Sequence, residues 1–351
     1  MADARSERSD ELVRHGWDDR WAARFEAAGI PGSEPGRVVR HDGVALTVAR
    51  RGGIDRVGIA RSIDPAPAIG DWVAVAHEAA VAVLPRTTLL TRRSAHGDAS
   101  QPLAANVDGV VVVCGLDRPV RSGRIDRFVT LAWDAGAVPV VVLTKADLVG
   151  DADAVAAEVA AAHPGIDVVT ASVTTPGGTD AVAAVAAGRT VVLVGESGAG
   201  KSSLINALLG DEVMATGAVR SGDFKGRHVT TTREAHPLPA GGVLIDTPGL
   251  RSVGLSADPD AVTATYADID ELAAGCRFSD CAHESEPGCA VKAAVEAGRL
   301  APARLAGWRA LGREAAAAEL RANPRLLRDR NRRFGRMVKD AQRRKDRDRE
   351  T

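Results

Sequence analysis

The chain has 351 residues, of which 45% are hydrophobic and 26% charged. That is enough apolar material for two or three folded units, and too much for wholesale disorder. Its apolar runs, such as residues 110–113 and 139–143, fall far short of the roughly 20 residues a bilayer-spanning helix needs. The polar, mixed-charge start resembles no secretory signal, so a cytoplasmic protein with no membrane partner is expected. The formal net charge of -1 hides a division, because residues 325–351 carry 12 Lys/Arg against 5 Asp/Glu and leave 33 against 41 for the rest.

In chain order, Leu12, Trp17, Trp21 and Phe25 recur at near-helical spacing over residues 9–28, which predicts one short packing helix before Gly29-Ile30-Pro31-Gly32. Residues 36–93 alternate apolar and polar between Gly, Pro and Asp, the pattern of a five-stranded OB-like barrel. Nine Arg against five acids make this stretch basic. A basic barrel and a basic tail suggest a polyanionic partner touched from two ends, although a solvated charged helix also accounts for the tail. Trp72 is expected in the core rather than as a stacking platform, so any RNA contact would rest on arginines. From residue 106, apolar strands alternate with helical patterns, which predicts a doubly wound α/β unit with a largely parallel sheet.

The sharpest motif is Gly195-Glu196-Ser197-Gly198-Ala199-Gly200-Lys201-Ser202, followed by Ser203, between a strand pattern and a helix pattern. Glycines there let successive N–H groups face phosphate oxygens at a helix N-terminus. Lys201 supplies a compact positive charge to the β and γ oxygens, and Ser202 a hydroxyl to Mg²⁺. Thr144-Lys145-Ala146-Asp147 ends another strand pattern, where a base-reading loop belongs. A carboxylate at Asp147 can accept both N1–H and N2–H of guanine, two donors that adenine lacks, and the stem of Lys145 can cover the base plane. Ala171 and Ser172 fit a second base-side loop. Asp246-Thr247-Pro248-Gly249 follows a strand as the loop whose aspartate holds Mg²⁺ through water and whose glycine N–H meets the γ-phosphate.

The order of these motifs is inverted relative to Ras-like GTPases, since residues 144–147 and 170–172 precede the phosphate loop. The unit therefore reads as circularly permuted, with the 246–249 loop wired into whatever follows. Residues 221–232 have the glycines, charges and hydroxyls of a mobile switch. One of Thr230, Thr231 and Thr232 is expected to bind Mg²⁺, with Thr231 taken as the ligand. Leu250 stands where a water-orienting glutamine is usual, which predicts slow intrinsic turnover. His228 is a candidate water-positioning residue or a plain loop histidine.

Cys276, Cys281, His283 and Cys289 place three thiols and one imidazole within fourteen residues, a complete tetrahedral set for one structural Zn²⁺. Cys114, alone in an apolar strand, reads as a core residue. Together with LAANVD at 103–108, GDWV, GESGAGKSSLIN, the RH..TT switch, DTPG and CRFSDCAHESEPGCAV, these motifs resemble the bacterial small-subunit-dependent GTPase A family over roughly residues 36–320. The resemblance implies a GTPase that binds the 30S subunit and its 16S rRNA late in maturation and is released on hydrolysis, with zinc on the Cys/His set. The family pattern often has asparagine at position 144 and threonine at position 229; this chain has Thr144 and Val229.

The expected α/β architecture is thus an N-terminal helical extension (1–35), an OB-fold barrel (36–93), a circularly permuted P-loop GTPase domain (94–262), an α-helical zinc-binding module (263–322) and a basic tail (323–351), in a monomer. A GTP-regulated rRNA-binding module with little hydrolysis is the main alternative. A P-loop ATPase or small-molecule kinase is disfavoured by Asp147 and the motif order.

Overall fold

The computed structural model describes residues 10–93, 100–210, 233–246 and 259–322. The single helix expected over 9–28 is two helices, α1 (Glu11–Arg14) and α2 (Asp19–Ala28). The break falls at Gly16, whose φ of +87° is left-handed, and the Asp18 carboxylate restarts the helix by accepting the Trp21 N–H at 2.9 Å.

Strands β1 (Glu34–His41), β2 (Leu46–Arg50), β3 (Gly53–Ile59), β4 (Trp72–Ala76) and β5 (Ala79–Val83) close into a barrel in the order β1-β2-β3-β5-β4, with β4 returning to β1. β1 pairs with β2 and β4 within the barrel, and its register against β2 shifts between Val38 and Arg40, which bends the strand. Val38, Leu46, Val48, Val57, Val73 and Val75 fill the interior. Trp72 is fully buried and meets Trp17 edge-on at 5.0 Å; it is a core residue, as the sequence suggested. β6 (Leu89–Arg93) and β7 (Ser100–Ala105) form a separate antiparallel pair, so β6 is not a barrel strand although it lies within residues 36–93.

Strands β8 (Gly109–Gly115), β9 (Val138–Thr144), β10 (Asp167–Ala171), β11 (Thr190–Gly195), β12 (Glu234–Pro237) and β13 (Val243–Asp246) make a sheet in the order β10-β9-β8-β11-β13-β12, parallel except for β12. Helices α3 (Ser122–Asp134) and α4 (Ala152–Ala162) cover one face; α5 (Asp180–Ala186) and α6 (Lys201–Leu209) cover the other. The continuous apolar runs follow from this double cover. Val110, Val112, Val192 and Val194 pack with Ile125, Phe128 and Val129 of α3, while Val111, Val113, Val191 and Leu193 pack with Val182, Leu204 and Ile205. The sheet continues into the barrel through a bridge between Arg40 and Glu234.

Arg37 ties three parts of the molecule together. Its guanidinium is 2% exposed and donates to the backbone carbonyl of His15 and to Thr190 Oγ1 at 2.8 Å, while lying 5.0 Å over the Trp72 ring. Burial lowers its pKa to about 10, so it stays charged, with its two Nη groups on neutral acceptors, a ring face beneath it, and its buried Nε without a hydrogen-bond partner.

Helices α7 (Pro259–Thr265), α8 (Ala267–Ala273), α9 (Ala290–Glu296) and α10 (Pro302–Ala322) complete the described chain around a core that includes Tyr266, Ile269, Val291, Leu305 and Leu311. α7 and α10 lie against α3. Among the described residues no helix is long and apolar enough to cross a membrane.

Candidate nucleotide site and metal cluster

The candidate site is built at the carboxyl ends of the parallel strands, where open α/β sheets bind ligands. Strand β11 ends at Gly195, which has a φ of +144° and lies so near β8 that a Cβ there would sit 2.3 Å from the Val113 carbonyl oxygen. Only glycine lets the chain leave the sheet at that point. Gly198 (φ +78°) and Gly200 (φ +89°) complete the turn, and Lys201 opens α6 with Gly200 as its N-cap. The first turn of α6 therefore carries Ser202 and Ser203. The Lys201 ammonium donates to the carbonyls of Gly195 at 2.8 Å and Glu196 at 2.5 Å.

The loop at 144–147, synthesised fifty residues before the phosphate loop, is adjacent to it because β9 and β11 both flank β8. Thr144, 4% exposed, donates its hydroxyl to the Ala199 carbonyl at 2.5 Å. Lys145 takes a left-handed backbone (φ +59°) and its ammonium donates to the Gly198 carbonyl at 2.8 Å. Ala146 and Asp147 form a short 3₁₀ turn. Ala171 ends β10 opposite Thr144, and the next residue, Ser172, donates its hydroxyl to Asp147 Oδ1 at 2.5 Å. That hydrogen bond is the main cause of the lowered Asp147 pKa, so the carboxylate is an anionic acceptor at neutral pH. Asp246 stands at the end of β13, its pKa raised by burial. His228, Thr231 and Gly249, with the remaining switch residues, lie outside the described residues.

Three charged residues of this site were not anticipated. Asp117 Oδ2 pairs with Lys145 Nζ at 2.9 Å and with Arg118 at 2.9 Å. Hydrogen bonds from Arg118 and then Lys145 bring its pKa down to about 2. Arg124 in the first turn of α3 pairs with Glu196 of the phosphate loop. Their sequence signal is weak: a charged cluster, Asp117-Arg118 through Arg124, just after an apolar strand.

The second cluster, at residues 276–289, brings Cys276, Cys281, His283 and Cys289 together with all ligand atoms within 4.8 Å of one another. Cys276 Sγ lies 3.6 Å from His283 Nδ1 and 4.0 Å from Cys289 Sγ, and Cys289 Sγ lies 3.4 Å from His283 Nδ1. A tetrahedron with metal–sulfur bonds of about 2.3 Å has edges of about 3.8 Å, so these four atoms fit one metal ion. Cys289 also caps α9 by accepting the Lys292 N–H at 3.4 Å, and the His283 ring lies 5.2 Å from Trp308 of α10.

A parallel sheet with a phosphate loop, a base-side loop reached in inverted order and a preceding barrel defines a circularly permuted P-loop GTPase. The family described as RsgA GTPase matches residues 83–256. A small ribosomal subunit biogenesis GTPase RsgA of Streptomyces coelicolor is 48% identical over 315 residues, covering 86% of each chain; that of Opitutus terrae is 43% identical, covering 89% of this chain and 92% of its own. The crystal structure of YjeQ from Thermotoga maritima superposes with a TM-score of 0.60 at 25% identity, over 81% of this chain and 99% of that one. YloQ, described as a circularly permuted GTPase, shares the fold with a TM-score of 0.61. The chain belongs to the RsgA GTPase family and is a GTP-hydrolysing enzyme.

Proposed function

We propose that this enzyme acts on the small ribosomal subunit, binding its 16S rRNA late in assembly and letting go on GTP hydrolysis, as a cytoplasmic monomer. The relatives' names, which refer to small-subunit biogenesis, support the target. The single observation that carries the nucleotide reading is the Lys145–Gly198 hydrogen bond at 2.8 Å, because it joins a guanine-reading loop to a phosphate loop across fifty residues of intervening chain.

On this reading Asp147 accepts N1–H and N2–H of guanine, Ser172 holds its carboxylate in place, and Ala171 presents backbone to the base edge. Lys145 covers the base and, through Gly198, fixes the phosphate loop. The N–H groups of residues 195–203 face the phosphates, and Lys201 exchanges its two backbone carbonyl partners for β and γ oxygens. Ser202 and Thr231 would hold Mg²⁺, with Asp246 nearby, and the ion would supply positive charge to the phosphates. Gly249 would offer its N–H to the γ-phosphate and His228 would orient water. Cys276, Cys281, His283 and Cys289 would hold Zn²⁺ as a staple, with no ligand position left for catalysis.

The test is phosphate release from GTP by the zinc-loaded protein, with and without purified 30S subunits. The expected result is slow turnover alone and acceleration by subunits. Equal rates would assign the protein to another target.

A further inference from the structure

The contacts of α3 reach in two directions. In its first turn Arg124 holds Glu196 of the phosphate loop, and the segment leading into the helix carries Asp117, which holds Lys145 of the base loop. Two residues beyond Arg124, Asp126 is 2% exposed and accepts from Arg304 of α10 at 3.1 Å. Four of the five Arg304 N–H groups are engaged: Nη1 makes that bond, Nη2 donates to the Thr265 carbonyl at 2.7 Å and to Asp268 at 2.8 Å, and Nε donates to Asp268 at 3.0 Å. Its face lies 4.4 Å over the Tyr266 ring. One turn further along α3, the buried hydroxyls of Thr130 and Thr265 meet at 2.8 Å, and on the surface Arg127 pairs with Glu314 at 2.8 Å.

On the GTPase side the same carboxylate is braced by His163, whose Nδ1 lies 3.0 Å from Asp126 and whose Nε2 lies 3.1 Å from Ser122 Oγ at the start of α3. Gly307 of α10 brings the two units together, since a Cβ there would sit 2.7 Å from the Tyr266 hydroxyl oxygen and 3.2 Å from Asp126 Oδ2. An interface needed only for adhesion could be apolar. Buried ion pairs held by several hydrogen bonds instead admit few alternative arrangements, so they set the pose of one unit on another.

We propose that α3 is a two-ended tie and that Arg304, acting through Asp126, is a positioning residue for the phosphate loop. The metal-cluster module then acts on nucleotide affinity through packed side chains, in addition to the covalent connection after Asp246. Whatever shifts α10 shifts α3, and with it both Glu196 and the Asp117–Lys145 pair. By linkage, nucleotide binding must bias the pose of the module by the same factor. The inference rests on the proposed guanine-nucleotide site.

The test is a double-mutant cycle on the zinc-loaded full chain, with dissociation constants for GDP and GTP read by fluorescent nucleotide titration. Arg304→Gln, none of whose native hydrogen bonds touches a nucleotide loop, is expected to weaken GDP binding about fivefold or more, and Arg304→Lys to recover part of the loss. In a background carrying both Arg124→Gln and Asp117→Ala, Arg304→Gln should add less than twofold, because both contacts with the nucleotide loops are already cut. A wild-type affinity in folded Arg304→Gln, or losses that multiply independently, overturns the tie. Should Arg304→Gln not fold, the Thr130→Val, Thr265→Val double variant replaces a hydroxyl pair with apolar groups of similar shape, a change that can be nearly neutral for stability. A loss of GDP affinity of at least twofold there supports the tie, and an unchanged affinity refutes it. If the wild type binds no guanine nucleotide, the site reading fails instead.

Discussion

Thr144 is the residue through which the base-side loop and the phosphate loop are stitched, and Thr144→Val isolates that stitch. The substitution keeps the branched shape in a position only 4% exposed, so it opens no cavity. It deletes the one hydroxyl that meets the Ala199 carbonyl at 2.5 Å and puts a methyl group against it. Leaving a buried acceptor without its donor costs about 1–3 kcal/mol. The part of that cost that nucleotide binding must make good by reordering the loops appears as lost affinity; at about 1.4 kcal/mol per decade, a loss near tenfold in GDP affinity is expected. Calorimetric titration with GDP and Mg²⁺ measures it, and circular dichroism confirms the fold. Thr144→Ser keeps the donor and should bind within about threefold of wild type. A folded Thr144→Val with unchanged GDP affinity would refute the idea that the two loops are mechanically joined through this hydroxyl.

Asp147→Asn replaces an acceptor-only carboxylate by a group that presents a donor, so guanine nucleotides should bind worse and xanthine nucleotides better; an unchanged preference in competition binding removes Asp147 from base reading. Lys201→Ala should abolish turnover and leave the far-ultraviolet spectrum intact, because the ammonium holds backbone carbonyls at the surface of the loop rather than a core; retained turnover contradicts the assignment. Cys289→Ser should lower the zinc content of purified protein from about one per chain and lower the melting temperature of the C-terminal helices, since the residue both joins the cluster and caps α9; full zinc occupancy would exclude it as a ligand. Burial pushes the Cys114 thiol up to about 11, which leaves on the order of 0.1% thiolate at pH 8. Cys114 should therefore resist iodoacetamide at pH 8, react once the protein is unfolded in guanidinium, and gain reactivity as pH rises toward 11; rapid native-state alkylation at pH 8 would contradict its burial.

What could be read in the sequence was what lies close together in it. The phosphate loop, the 144–147 tetrapeptide, Asp246 and the Cys/His run each declare their chemistry within a few residues, and the apolar runs of β8, β9 and β11 declare a sheet covered on both faces. The inverted order of the motifs also carried the topology. What escaped was set by partners distant in sequence: Arg37 and Thr190 are 153 residues apart, and Asp126 and Arg304 are 178 apart. No local pattern distinguishes a buried arginine that ties units together from an exposed one. The same limit hid the break at Gly16, where hydrophobic spacing continues through a glycine with left-handed geometry, and the pairing of β6 with β7, because the pattern at 89–93 continues that of the barrel strands before it.

The central claim is that one guanine nucleotide spans two loops whose order in the chain is reversed. A crystal structure of the protein grown with GDP and Mg²⁺ tests it most directly. The account predicts the guanine within hydrogen-bonding distance of the Asp147 carboxylate and the phosphates against the N–H groups of residues 198–203. A base bound away from Asp147, with the phosphates still on that loop, would contradict it.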